Sequence, residues 1–437
     1  MSLDDERRVI LEQVRAYAQK SHQSDSFIPG RHSIPASGKV LGPEEFVNVV
    51  DAALDGWLTT GRFNDSFEKK LAAYLGVAHV LTCNSGSSAN LLALSALTSP
   101  QLGHRALKPG DEVITAAAGF PTTVNPILQN GLIPVFVDSH IPSYNPLPAT
   151  IEVAITPRTR AIMLAHTLGN PLAIAELKAI ADRHQLWLIE DCCDALGSSY
   201  DGRKVGTWAD IGTLSFYPAH HITMGEGGAV FTSNPHLKRI IESLRDWGRD
   251  CWCNPGCDNT CGKRFDWQLG QLPAGYDHKY VYSHAGYNLK ITDLQAAIGL
   301  AQLERLDSFV SARRENFATL ANLLEPLKEF FILPEATANS SPSWFGFPLT
   351  LRETSPFSSV DLLRFLEQRK IGSRLLFAGN ITRQPYFLER PYRISGTLKN
   401  ADEIMQHTFW VGIWPGLGKE HLHYIAQSLG DFCGTNF

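Results

Sequence analysis

Leu186-Trp187-Leu188-Ile189-Glu190-Asp191 reads as a buried strand, four apolar residues closed by two acids. Working outward, apolar runs of the same length stand at 78–83, 111–116, 133–138 and 161–166, and two more follow at 211–217 and 227–233. Helical patterns at 87–97, 120–130 and 172–184 separate the earlier ones. Strands alternating with helices predict an α/β fold: a mostly parallel, seven-stranded sheet covered by helices on both faces.

The flanks differ. Residues 3–21 carry Val9, Ile10, Val14, Tyr17 and Ala18 near helical spacing, and a Pro/Gly/Ser-rich connector follows at 27–43. Residues 1–40 are thus expected to precede a large domain over 41–309. Within it, 251–282 is an insertion rich in Cys, Gly, Asn and aromatics without periodicity, which points to a functional segment. A strong helix at 294–306 is expected to continue toward 325. A strand near 344–351 and helices near 359–369 and 419–429 suggest a smaller α+β domain over 310–437.

An apolar fraction of 44% and nine tryptophans describe a well-packed globular chain, and a net charge of -5 gives no case for nucleic acid. No run approaches 18 consecutive apolar residues, so no membrane-spanning helix is expected. The acidic start, Met1-Ser2-Leu3-Asp4-Asp5-Glu6, lacks the apolar centre of a signal peptide, which makes the cytoplasm the expected compartment. There, the eight cysteines are expected as thiols or metal ligands rather than disulfides. Cys83 and Cys433 stand alone and read as small core residues.

Several segments carry chemistry. Asn84-Ser85-Gly86-Ser87-Ser88-Ala89-Asn90 follows a strand and opens a helix. Free N–H groups there, with the Ser87 and Ser88 hydroxyls, suit a phosphate; a simple helix cap is the competing reading. Asp191 ends its strand. Phe120 lies in Ala118-Gly119-Phe120-Pro121-Thr122-Thr123, and Ser215-Phe216-Tyr217-Pro218-Ala219-His220-His221 leads into Gly225-Glu226-Gly227-Gly228. Gly286-Tyr287-Asn288 precedes Asp293-Leu294-Gln295-Ala296-Ala297.

In this order, over roughly 40–430, these motifs resemble the DegT/DnrJ/EryC1/StrS family of sugar-modifying, fold-type I pyridoxal-phosphate enzymes. The resemblance implies that Ser215 joins Ser87 and Ser88 on the cofactor phosphate, that Asp191 pairs with the pyridine nitrogen, and that Phe120 stacks on the ring. It also implies a homodimer in which Asn288 reaches the neighbour's phosphate. Phe120 could equally be plain core. Asp194 stands where the family commonly has glutamine, which leaves its role open between the cofactor hydroxyl and the substrate.

The family's lysine position is His220. An imidazole moves protons near neutrality but cannot tether pyridoxal phosphate covalently. The resemblance then implies pyridoxamine phosphate held by non-covalent contacts, with His220 as the catalytic base. The reaction would remove water at carbon 3 of a nucleotide-linked 4-keto-6-deoxyhexose. Position alone, not geometry, favours His220 over His221.

Cys251, Cys253, Cys257 and Cys261 fall within eleven residues, and Cys192 and Cys193 follow Asp191 directly. Spacing alone suits a [2Fe–2S] cluster and structural zinc equally. The C-x57-C-x-C-x7-C arrangement resembles the iron–sulfur 3-dehydrases of the family, implying Cys193, Cys251, Cys253 and Cys261 as ligands and Cys257 as spare. A deoxy product needs two electrons, which a cluster delivers singly. The resemblance therefore implies CDP-4-keto-6-deoxy-D-glucose as substrate, a 3,6-dideoxyhexose of the ascarylose type as product, and a flavin/iron–sulfur NAD(P)H reductase as partner. A cluster-free dehydratase using glutamate and a silent zinc-binding homologue are the rivals. Arg374 and the 380–383 loop are candidate nucleotide contacts.

Overall fold

A computed structural model describes residues 2–21, 26–253 and 256–435. Helix α1 (Leu3–Ser21) lies against α2 (Pro43–Leu54), where Arg7 pairs with Asp51 and Asp55; α3 (Arg62–Leu75) ends on Gly76 in the left-handed region, φ 75°. The central sheet then forms from β1 (His79–Cys83), β2 (Glu112–Ala116), β3 (Ile133–Val137), β4 (Thr159–Ala165), β5 (Trp187–Asp191), β6 (Ile211–Ser215) and β7 (Gly228–Thr232). Their order is β1-β7-β6-β5-β4-β2-β3, and β7 alone runs against the rest.

All seven expected strands are present. An eighth, Arg393–Ile394, joins β3 in parallel at the edge. It is too short to leave a periodic signal. Its anchor is Arg393, whose guanidinium donates at 3.1 and 2.8 Å to the two carboxylate oxygens of the buried Glu112.

Burial is nearly continuous along the middle strands, as a sheet covered on both faces requires, with successive side chains going to opposite faces. Ala161, Met163 and Ile189 pack with α4 (Gly86–Ala96) on one side, whereas Ile162, Leu164 and Leu188 pack with Ile174–Arg183 on the other. Cys83 and Cys433 are buried among apolar side chains, as expected.

The long helix expected from 294 toward 325 is two helices, Asp293–Leu303 and Leu306–Leu324. At the break, Gln302 and Arg305 donate to the Val40 carbonyl at 2.9 and 3.4 Å and so tie the turn to the segment before α2. Beyond it, Phe331–Ile332, Gly346–Leu351, Thr408–Gly412 and Ser373–Leu375 form a four-stranded antiparallel sheet against Ser359–Gln368 and Lys419–Cys433. Ile34, from the connector, is buried in the same core.

Candidate active site

The carboxyl ends of β4, β5 and β6 open into a cavity of about 900 Å³, where an open α/β sheet binds its ligands. Asp191 closes its floor. Asn90 Nδ2 and Thr123 Oγ1 each donate to Asp191 Oδ2 at 2.7 Å, and the Cys193 amide donates to Oδ1 at 3.1 Å. Thr213 Oγ1 holds Asn90 from behind at 2.6 Å. A buried carboxylate so fixed suits a protonated ring nitrogen. Asn90 and Thr123 gave no signal in the sequence, because only the packing of α4 and α5 (Pro121–Gln129) over β5 brings them there.

The second wall is the N-terminus of α4. Ser85 is the cap, accepting from the Ser88 amide at 3.0 Å. Ser85, Gly86, Ser87 and Ser215 line the cavity. Ser88 does not: its hydroxyl donates to Asn84 Oδ1 at 2.6 Å. The phosphate and cap readings thus divide the segment, with Ser87 facing the cavity and Ser88 serving the cap. Helix N-terminal amides and two hydroxyls make this end an anion site. A Cβ on Gly86 would stand 2.4 Å from Ser215 Cβ and 3.1 Å from Cys193 Sγ, so the approach requires glycine.

Phe120 is 51% exposed in this chain and lines the cavity edge-on to Phe377, which excludes the plain-core reading. Opposite stands His220. Its Nδ1 lies 3.4 Å from Asp194 Oδ1, at ion-pair distance but without hydrogen-bond alignment. Burial raises the Asp194 carboxyl above its ordinary value, and His220 opposes that rise. His221 points away: buried, it bonds the Ser343 carbonyl through Nε2 at 2.8 Å, and burial holds it well below the usual histidine range. His220 is the imidazole that faces the cavity. The buried Arg313 reaches its carbonyl at 3.4 Å and those of Trp344 and Phe345 at 3.1 and 3.0 Å, coupling His220 to the second sheet. No lysine is among the described residues that line the cavity.

Further wall residues are Tyr217, beside Ser215, and three from distant segments that sequence reading missed, Phe345, Tyr386 and Trp410. Arg374 also lines the cavity, as expected. Asn380, Thr382 and Arg383 instead line a neighbouring groove, where Arg383 pairs with Asp402.

Asn288 lies outside this cavity. It bridges to Asp246 in the backbone and accepts from Lys290 Nζ at 3.1 Å.

Of the expected cysteine ligands, Cys251 and Cys253 are grouped with His278 within 4.8 Å among the described residues, and Cys193 and Cys261 are not in that group. Cys193 lines the cofactor cavity, fixed through its amide by Asp191, and its thiol is pushed well above the ordinary value by burial and the adjacent carboxylates. Cys251 and Cys253 lie instead in the loop, where their sulfurs and a ring nitrogen of His278 stand within 4.8 Å of one another. Cys261 Sγ is 3.5 Å from His278 Nε2. Burial alone would raise the Cys253 thiol, but hydrogen bonds from Thr260, Cys261 and Cys251 outweigh it and bring it to about 6. Cys257 is exposed, consistent with a spare thiol.

Known proteins share this architecture. The sequence profile of the DegT/DnrJ/EryC1/StrS aminotransferase family matches residues 40–430. The lipopolysaccharide biosynthesis protein RfbH of Salmonella typhimurium is 63% identical over 437 residues, 100% of both chains. The dTDP-4-dehydro-2,6-dideoxy-D-glucose 3-dehydratase of Saccharopolyspora spinosa is 54% identical over 98% of this chain and 92% of its own. Among solved structures, the E. coli GDP-4-keto-6-deoxy-D-mannose-3-dehydratase with bound hydrated PLP superposes with a TM-score of 0.82 at 26% identity, covering 91% of this chain and 100% of that one. Fold, profile and relatives agree: the chain belongs to the DegT/DnrJ/EryC1/StrS aminotransferase family.

Proposed function

We propose that the protein is a nucleotide-sugar 3-dehydratase that works with pyridoxamine phosphate held without a covalent tether. The observation that carries this reading is His220 on the cavity wall beside Asp194, in a cavity lined by no lysine among the described residues. The donor set fits the cofactor: an anion site at the start of α4, a fixed carboxylate at Asp191 and an aromatic face at Phe120. Two sugar 3-dehydratases among the relatives support the reaction class.

When bound, pyridoxamine phosphate supplies an amine for the substrate ketone and an electron-withdrawing ring. The chain supplies the rest. Ser87 and Ser215 would hold the phosphate with the first amides of α4. Asp191 keeps the pyridine nitrogen protonated, and Phe120 covers the ring. His220 takes a proton at the cofactor's methylene carbon, and Asp194, facing Nδ1, orients the imidazole and balances the charge it gains. The hydroxyl at carbon 3 would then leave as water by taking the proton that His220 holds. Arg374, the one Lys or Arg side chain among the described lining residues, stands ready for the nucleotide's diphosphate.

The finer reading assigns CDP-4-keto-6-deoxy-D-glucose as substrate, an iron–sulfur centre in the 251–282 loop, and an NAD(P)H-dependent flavin/iron–sulfur reductase as electron donor. Cys251 and Cys253, grouped with His278, and Cys261 Sγ at 3.5 Å from His278 Nε2 support the metal centre. A homodimer belongs to this reading, since Asn288 stands outside its own chain's cavity; a single-chain native mass for the cofactor-loaded protein would remove that part.

The test is a panel of CDP-, GDP- and dTDP-4-keto-6-deoxyglucose with the anaerobically purified protein, a flavin/iron–sulfur reductase and NADH. The expected outcome is a 3-deoxy product from the CDP sugar that requires reductase. Turnover with glutamate in place of reductase would contradict the iron–sulfur reading, and water loss from none of the sugars would contradict the reaction class.

A further inference from the structure

Arg313, on the helix Leu306–Leu324, is a cation sealed in the interior at 1% exposure. Its hydrogen bonds all go to main-chain carbonyls: Nη1 donates to Trp344 at 3.1 Å and to Phe345 at 3.0 Å, and Nη2 to His220 at 3.4 Å. Nε has no partner among the described residues. Burial pulls the guanidinium down from its ordinary value, and the charge of Asp194 opposes that pull. The group nevertheless stays cationic at neutral pH. Desolvating a cation without a paired carboxylate is costly, and a well-packed apolar side chain is often the more stable choice. Packing therefore does not account for an arginine here.

The three carbonyls belong to two segments that meet at the cavity. His220 closes a turn in which its amide donates to the Tyr217 carbonyl at 2.9 Å. Trp344 and Phe345 lead into the strand Gly346–Leu351 of the second sheet, and Phe345 lines the cavity. The His220 imidazole has Asp194 on one side, 3.4 Å from Nδ1, and the Phe345 ring on another, 5.2 Å between centroids. Nδ1 makes no aligned hydrogen bond, so the direction of the ring depends on these neighbours and on its own main chain. His221 ties the same two segments together through the Ser343 carbonyl. A guanidinium can span three carbonyls because its N–H groups lie in one rigid fork, which neither the single nitrogen of a lysine nor a glutamine amide reproduces.

We propose that Arg313 is a positioning residue for the proton transfer at His220: its fork locks the His220 turn to the 344–345 segment and so keeps the imidazole between Asp194 and Phe345. The inference rests on the proposed role of His220 as the base. Arg313 is not among the residues that line the cavity, so it acts through His220 and not on the substrate. Misplacing a reacting group by about 1 Å costs about 100-fold in rate, which sets the scale of the effect.

The test compares full-length wild type with Arg313→Gln, Arg313→Lys, His220→Asn, the double variant His220→Asn/Arg313→Gln, and Leu320→Ala. Leu320 is buried on the same helix in the core of the second sheet and does not line the cavity, so it controls for lost stability. The readouts are pyridoxamine phosphate affinity by equilibrium dialysis, the urea midpoint, and solvent hydrogen exchange at the cofactor methylene with a nucleotide 4-keto-6-deoxy sugar present. Arg313→Gln is expected to keep the affinity within about twofold and to lose about 10- to 100-fold in exchange. Arg313→Lys should fall between it and wild type, and Leu320→Ala should lower the urea midpoint yet exchange at the wild-type rate. The double variant should exchange no more slowly than His220→Asn alone, because the two residues act as one unit. In crystals of the cofactor-free protein, the imidazole should face Asp194 in wild type and be displaced in Arg313→Gln. Wild-type exchange in Arg313→Gln, an unmoved imidazole, or a Leu320→Ala slowed as much at equal loss of stability would each overturn the proposal. If Arg313→Gln does not fold, wild-type exchange in Arg313→Lys, which keeps the charge without the fork, would overturn it as well. Wild-type exchange in His220→Asn would remove the base assignment and this inference with it, whereas a slow His220→Asn beside fast Arg313 variants would remove this inference alone.

Discussion

His220 and His221 are neighbours with opposite surroundings, and the difference decides which can do chemistry. One faces the cavity beside Asp194; the other is sealed against the Ser343 carbonyl. The exchange of lysine for histidine was readable from residues alone. The choice between the imidazoles was not, because it depends on a carbonyl 122 positions away. The sealed histidine gives a stability prediction. Burial holds His221 well below the usual histidine range, so the unfolded chain takes up a proton as pH falls through about 6.5 while the folded one resists it. Folding stability should therefore drop below about pH 6.5, with His221 contributing up to about 1.4 kcal/mol per pH unit. Urea unfolding at pH 7.5, 6.5 and 5.5 should show a shallower slope for His221→Gln than for wild type. The partly buried His284 and His421, also shifted down by burial, would leave a residual slope. Equal slopes in the two proteins would refute the assignment.

At the scale of elements, the site is the meeting of a strand end with a helix start. The apolar run ending at Asp191 and the Ser-rich opening of α4 were both legible, because each is a local pattern. Their contact was not. It is made at Gly86, where the backbone of α4 comes within a side chain's width of Ser215 and Cys193. Gly86→Ala must push these apart or shift the helix start, at a cost of about 1–3 kcal/mol. Its phosphate-binding amides and Ser87 should then miss their target. Equilibrium dialysis should show pyridoxamine phosphate affinity reduced by about tenfold or more, with far-UV circular dichroism unchanged. Unaltered affinity would mean that this junction does not form the phosphate site. The break between Asp293–Leu303 and Leu306–Leu324 and the two-residue edge strand Arg393–Ile394 were hidden for a related reason. Periodicity continues across a tight helix break, and a two-residue strand has none.

Over the whole molecule, the chemistry-bearing side chains come from widely separated segments. The cavity at the sheet's carboxyl ends combines residues from the central sheet and the second sheet, whereas the thiol–imidazole group lies in a loop beside the helix Pro235–Arg245. The cysteine spacing links the two through Cys193, which lines the cavity beside Asp191. Aromatic rim residues such as Phe345 and Trp410 were invisible because each is a core-like residue in its own segment. The chemistry of the cavity depends on one side chain, His220. General base catalysis is worth about 100- to 10,000-fold, and an amide cannot supply it. The most direct measurement is solvent hydrogen exchange at the methylene carbon of bound pyridoxamine phosphate, with the nucleotide 4-keto-6-deoxy sugar present, in wild type and His220→Asn. His220→Asn is expected to retain the cofactor while its exchange rate falls by that factor. Exchange at the wild-type rate in His220→Asn would contradict it.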